Sequence, residues 1–290
     1  SYDLKRILIM KYYLYLVFTL LTLSSCGSEN TKVDAFQSKT HYDLALELAK
    51  YSLYENALEE FDLAIKFDPG NIIAYRKKGV ILYGLKQYDE AENLFAKTIS
   101  LDPENVQAYI NLGMVKYITG DKDGAIKLWQ KSIDMKSDDN DSKALNNIAN
   151  VYKEEKNYDK AIRQYRLASN KDPMNPMYIN NLADTLRLNG QLDEALRVLN
   201  DSLKLDSSGM GTYFNLGMVY KDLKENTKAL DFFKKSIQVN APLTEAYYQT
   251  ALIHLKLKNR EEALKFINKA LEYSPNNLNY QESRDTILNS

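Results

Sequence analysis

Residues 142–175 read SKALNNIANVYKEEKNYDKAIRQYRLASNKDPMN. At helical spacing they carry two amphipathic runs. The first puts Leu145, Ile148, Ala149 and Tyr152 on one face, and the second does the same with Ala161, Tyr165 and Ala168. Asn157 lies in the break between the runs, and Pro173 ends the second. Two helices this short cannot bury both apolar faces alone, so the stretch requires copies of itself on either side.

The chain supplies them. Ala57, Ala91, Ala125, Ala161, Ala195, Ala229 and Ala263 follow one another at one constant interval, except that the step from Ala125 to Ala161 is slightly longer. The interval is about 34 residues, enough for one helix pair and its turns. Twelve residues before each stands a small residue: Ala45, Gly79, Gly113, Ala149, Ala183, Gly217 and Ala251. Four residues after each stands a bulky one: Phe61, Phe95, Trp129, Tyr165, Leu199, Phe233 and Ile267. Small residues let paired helices approach closely, and the bulky side chain fills the space they leave. Proline closes four copies, at Pro69, Pro103, Pro173 and Pro275.

This pattern resembles the tetratricopeptide repeat over residues 38–277. The resemblance implies an all-α fold, an α-solenoid of seven antiparallel helix pairs: 38–71, 72–105, 106–141, 142–175, 176–209, 210–243 and 244–277. The first helix of each pair would line the concave side of a right-handed superhelix. Residues 278–290, amphipathic from Leu278 to Leu288, are expected to form the helix that caps the array. The third repeat is two residues longer, and Ser137-Asp138-Asp139-Asn140-Asp141 replaces its closing proline. Those acids lack the glycine and terminal glutamate of a calcium loop, so they are expected to form a solvated insertion.

The amino-terminal residues have another character. Tyr12 to Leu23 is uncharged and follows a basic segment, and Ser24-Ser25-Cys26-Gly27 comes next. The apolar run is shorter than the roughly 20 residues a spanning helix needs, and its flanks describe a secretory signal. Leu23-Ser24-Ser25-Cys26 resembles the bacterial lipobox. That resemblance implies cleavage of residues 1–25 and lipid attachment at Cys26; Met10-Lys11-Tyr12-Tyr13 is a normal signal beginning, so the native start is expected at Met10. The expected location is the bacterial cell envelope, with the outer membrane favoured over the inner. Two acyl chains make such anchoring stable, since each buried methylene contributes about 0.8 kcal/mol. Residues 26–37 are polar and without apolar periodicity, and are expected to be a tether.

Composition narrows the function. The net charge of −1 gives no electrostatic ground for nucleic acid. One cysteine and two histidines leave little for metal or nucleophilic chemistry. His41 and His254 fall at core positions of their repeats. Gly79 to Gly84 has the spacing of a phosphate loop, but Leu85 stands where lysine should. Once seven repeats and a cap are assigned, no length remains for a catalytic domain. The expectation is a protein that is not an enzyme and takes no cofactor or metal.

The sixth residues of successive repeats are Asp43, Lys77, Asn111, Asn147, Asn181, Asn215 and Gln249, with Asn146, Asn150 and Asn180 beside this line. A solvated face is ordinarily richer in Lys and Glu. An amide both donates and accepts, so such a row can pair with a peptide backbone whatever its side chains. The row resembles the asparagine ladder of peptide-holding tetratricopeptide superhelices, including that of O-GlcNAc transferases. Asparagines that bridge adjacent repeats would give the same row. The two-carboxylate clamp of chaperone-binding members has no full match: Asn146, Asn150, Asn181, Gly211 and Asn215 occur without its two basic residues. The concave set holds Arg76, Lys77, Lys143, Lys153, Arg187 and Lys221 against Glu154, Asp184 and Asp222, a mild basic excess.

The expected function is a membrane-anchored scaffold that holds an extended protein segment on Lys77, Asn111, Asn146, Asn147, Asn150, Asn181, Asn215 and Gln249. The alternative is a glycan or peptidoglycan-fragment binder that uses Tyr75, Tyr83, Tyr109, Tyr117 and Tyr213 as stacking surface.

Overall fold

A computed structural model describes residues 30–135, 138–205, 209–238 and 243–289. Within them the chain is entirely helical. The helices are α1 (Asn30–Lys50), α2 (Tyr54–Phe67), α3 (Ile72–Gly84), α4 (Tyr88–Leu101), α5 (Val106–Ile118), α6 (Lys122–Asp134), α7 (Asp138–Glu154), α8 (Tyr158–Lys171), α9 (Pro176–Leu188), α10 (Leu192–Leu205), α11 (Met210–Asp222), α12 (Asn226–Gln238), α13 (Thr244–Lys256), α14 (Arg260–Tyr273) and α15 (Leu278–Asn289). Two compact bodies are present, Ser1–Val115 and Lys116–Ser290. The first holds the pairs α1/α2 and α3/α4. The second holds α7/α8, α9/α10, α11/α12 and α13/α14, and α15 packs on α14.

Each pair is joined by the same turn. At the end of α3 the Gln87 N–H reaches the Leu82 carbonyl and the Lys86 N–H reaches the Tyr83 carbonyl. This pair of hydrogen bonds closes a helix through one residue in the left-handed region. That residue is Ser52, Lys86, Gly120, Lys156, Gly190, Lys224 or Lys258 in the seven repeats. Helices α6, α8 and α14 then start from side-chain caps at Asp121, Asn157 and Asn259, which accept from the backbone N–H three residues on.

The periodic alanines are all fully buried, as are the bulky residues four positions later. The space is occupied as the alternation of small and large requires. A Cβ added to Gly79 would lie 2.7 Å from the Phe95 ring, and one added to Gly217 would lie 2.5 Å from the Phe233 ring. Buried hydroxyls in these seams are satisfied locally: Thr98 bonds the Leu94 carbonyl, Ser132 that of Trp129 and Ser236 that of Phe233.

His41 and His254 are both stacked in packing positions, His41 on Phe67 at 5.3 Å and His254 on Phe266 at 5.6 Å. The cap is in place: Tyr280 and Ile287 of α15 are buried against α14.

Two expectations need correction. Helix α1 begins at Asn30, so residues 30–37 are helical where a tether was expected. A polar sequence without periodicity can continue a helix that its downstream turns already hold in place. The last acid of the acidic run is likewise not solvated. Helix α7 begins at Asp138, and Asp141 is buried and paired with Lys171 at 2.8 Å. A buried carboxylate is tolerated where a cation pairs with it. The signal segment 1–25, Cys26 and Ser137 lie outside the described residues.

Candidate functional site

In the second body the first helices of consecutive repeats, α7, α9, α11 and α13, stand side by side and are joined along two polar seams. The first seam is made of amides. Asn181 Nδ2 on α9 donates to Asn146 Oδ1 on α7 at 2.8 Å. One repeat later, Asn215 Nδ2 on α11 donates to the Asn180 backbone carbonyl at 3.1 Å and to its side-chain oxygen at 3.3 Å. Thr212 donates to the same side-chain oxygen at 3.2 Å.

The second seam is ionic. Lys153 on α7 reaches Asp184 on α9 at 2.6 Å. Arg187, one turn further along α9, binds Asp184 at 2.9 Å and crosses to Asp222 on α11 at 2.7 Å. Burial pushes the Asp184 carboxyl up, but hydrogen bonds from Lys153 and Arg187 outweigh it and hold the group below the usual carboxylate range. The seam continues with a neutral amide, Gln249, between Lys221 and Glu245. Lys221 donates to Gln249 Oε1 at 2.6 Å, Gln249 Nε2 donates to Glu245 at 2.7 Å, and the Tyr280 hydroxyl of α15 donates to the other Glu245 oxygen at 3.0 Å. Here burial prevails, and the Lys221 ammonium is pulled below its ordinary value.

The residues expected from the sequence are therefore in several states. Asn146, Asn181, Asn215 and Gln249 are engaged with adjacent repeats. Asn150 accepts from the Tyr165 hydroxyl, a buried phenol whose pKa burial raises. Asn147 is half-buried and makes no hydrogen bond to any described residue, so both ends of its amide are open. Asn111 and Lys77 belong to the first body. There Asn111 accepts from Gln107 at 3.0 Å, while its own Nδ2 is buried and unpartnered. Lys77 is half-buried on α3.

Sequence reasoning missed the ionic seam, although Lys153, Arg187 and Lys221 stand one repeat period apart. That period was the available signal. It lined up the cations, whereas Asp184 and Asp222, although on the same face, sit at different places in their repeats and so gave no sign of the pairing. The pairing cancels the basic excess at Lys153 and Arg187.

The tyrosines considered as stacking surface are largely committed elsewhere. Tyr83 packs edge-on against Tyr88, Tyr117 against Trp129 while donating to Glu154, and Tyr213 stacks on Phe232. Among the described residues no three His, Cys, Asp or Glu side chains gather as metal ligands, and no helix is long and apolar enough to cross a membrane.

Known proteins share this architecture. A tetratricopeptide repeat protein from Parabacteroides merdae superposes with a TM-score of 0.68 at 16% identity, covering 87% of this chain and 99% of that one. Pseudomonas aeruginosa pilF superposes with a TM-score of 0.59 at 19% identity, covering 74% and 97%. A chain of the APC/C hetero-tetramer Cut9-Hcn1 superposes with a TM-score of 0.63 at 16% identity over 90% of this chain. The present chain spans about half of that longer relative, 54%. No curated protein matches the sequence. Models of the tetratricopeptide repeat match residues 72–105, 106–139, 146–209, 211–242 and 244–277. Helix pairs, buried small-and-large alternation and these matches agree, and the chain belongs to the tetratricopeptide repeat family.

Proposed function

We propose that this protein is a non-catalytic scaffold whose first-helix face holds an extended segment of another envelope protein, and that a lipid on Cys26 keeps it on a bacterial envelope membrane, the outer one. The observation that carries the reading is Asn147. It stands in the row of amides on α7, half-buried, with neither donor nor acceptor used. The amides on either side are already bonded, so they hold the surface in shape while Asn147 is available to a peptide backbone. Neighbouring helices lie about 8–10 Å apart, which an extended chain covers in about three residues.

The anchor rests on Leu23-Ser24-Ser25-Cys26 and the apolar run before it. Metabolic labelling with palmitate tests it, with label expected on the native chain and absent from Cys26→Ala. Crosslinking in envelope extracts tests the groove. A protein partner should be captured by the native chain, and its yield should drop several-fold for Asn147→Ala combined with Asn181→Ala. Undiminished capture by that double variant would remove this face from the function.

A further inference from the structure

Lys153, Arg187 and Lys221 occupy the same place in three consecutive repeats. Asp184 and Asp222 neutralise the first two. Lys221 differs. Its half-buried ammonium bonds the neutral side-chain oxygen of Gln249, and no described carboxylate forms an ion pair with it. The acids nearest to it are already engaged, Asp222 by Arg187 and Glu245 by Gln249 and Tyr280. Asp222 and Glu245 lend it negative charge from a distance, Arg187 and Lys256 oppose them, and burial outweighs the sum. An ammonium taken partly out of water and faced with an amide costs free energy that an incoming anion would relieve.

We infer that Lys221 is the anchor for a carboxylate side chain of the bound segment, a specificity element within the peptide-holding face proposed above, on which this inference rests. A lysine presents a single point charge without a fork, which suits one carboxylate. The guanidinium fork of the neighbouring Arg187 is spent on Asp184 and Asp222, so Lys221 acts as the lone point charge at this place. Asn147 and Lys221 stand two helices apart and six residues apart along the helix axis, about 18–22 Å at ordinary helix spacing and rise. An extended peptide rises about 3.3 Å per residue. The segment therefore carries an Asp or Glu roughly six residues from the part whose backbone pairs with Asn147.

Selection of random dodecapeptides on the full chain, followed by affinity measurement of the recovered peptides, tests this. The expected peptides are rich in Asp and Glu at that spacing. Their affinity falls about tenfold for Lys221→Met, is largely kept by Lys221→Arg, and weakens as salt is raised. Peptides without acidic enrichment, bound equally by Lys221→Met but lost by Asn147→Ala with Asn181→Ala, would overturn the anchor and leave the peptide-holding face standing. Peptides indifferent to all these substitutions would overturn both. Replacing the selected acid by phosphoserine separates the two anions. A phosphopeptide that binds more than tenfold tighter and depends on Lys221 would overturn the assignment to carboxylate.

Discussion

Four lysines, Lys86, Lys156, Lys224 and Lys258, hold φ between +58° and +63° at the turns between paired helices, where glycine is the ordinary occupant. A side chain in that region costs about 1–2 kcal/mol, offset in part by the greater freedom glycine has when unfolded. Lys86→Gly and Lys224→Gly should therefore each stabilise the fold by up to ~1 kcal/mol, seen as a higher midpoint in urea. A lower midpoint for both would mean that the lysine side chains hold the turn. Glycine matters in the opposite sense at 217. An alanine methyl there would press into Phe233, so Gly217→Ala should cost about 1–3 kcal/mol, and adding Phe233→Leu should recover part of it. The Gly217–Phe233 contact was legible, because small and bulky residues recur at fixed spacing. The left-handed lysines were not. Only Gly120 and Gly190 announce such a turn, and nothing in a lysine does.

Between elements, the ionic seam ties α7, α9 and α11 through Asp184, which serves both Lys153 and Arg187. Asp184→Asn removes the shared charge and leaves two partly buried cations short of a partner, so stability should fall by about 2 kcal/mol. The native carboxyl titrates below its unfolded value of 3.8. Its contribution is therefore present above pH ~4 and lost as pH falls through the lower folded value. Urea midpoints measured from pH 7 down to 3 should show a steeper acid decline in the native chain than in Asp184→Asn. Parallel declines would mean that Asp184 carries no folding-linked proton. The amide row was legible as a pattern of residue types. Its use was not, because the same Asn181 and Asn215 fit a peptide or a neighbouring helix equally well, and only the distances show that both bridge repeats. Asn147 alone in the second body matches the open ladder read from the sequence.

Across the molecule, helix pairing was legible because seven copies of one pattern average out local exceptions. The edges had no copies to support them. Residues 30–37 and Asp141 depart from their reading for that reason, since each belongs to a helix whose placement depends on contacts rather than period. The carboxy-terminal edge was better marked. Helix α15 covers Ile267, Ala270 and Leu271 and gives Glu245 its phenol partner. Stopping the chain after residue 277 should uncover this apolar face, lower the thermal midpoint and raise the binding of a hydrophobic dye. An unchanged midpoint would show that the last pair is closed without α15.

The fifth residue of one repeat meets the sixth of the next, as Asn146 with Asn181 and Asn180 with Asn215. In the ionic seam the twelfth residue Arg187 meets the thirteenth of the next repeat, Asp222, whereas Lys153 meets the ninth, Asp184. Excision of residues 176–209 would bring Asn146 to Asn215 and Lys153 to Asp222, so both joints would re-form with the native residue types. The shortened protein should unfold cooperatively, whereas excision of 176–208 alone, which leaves the period out of step, should give a chain that melts without a sharp transition. A gene of this kind can shed or copy a whole repeat by recombination and still encode a folded product, so its length is inherited in steps of one repeat.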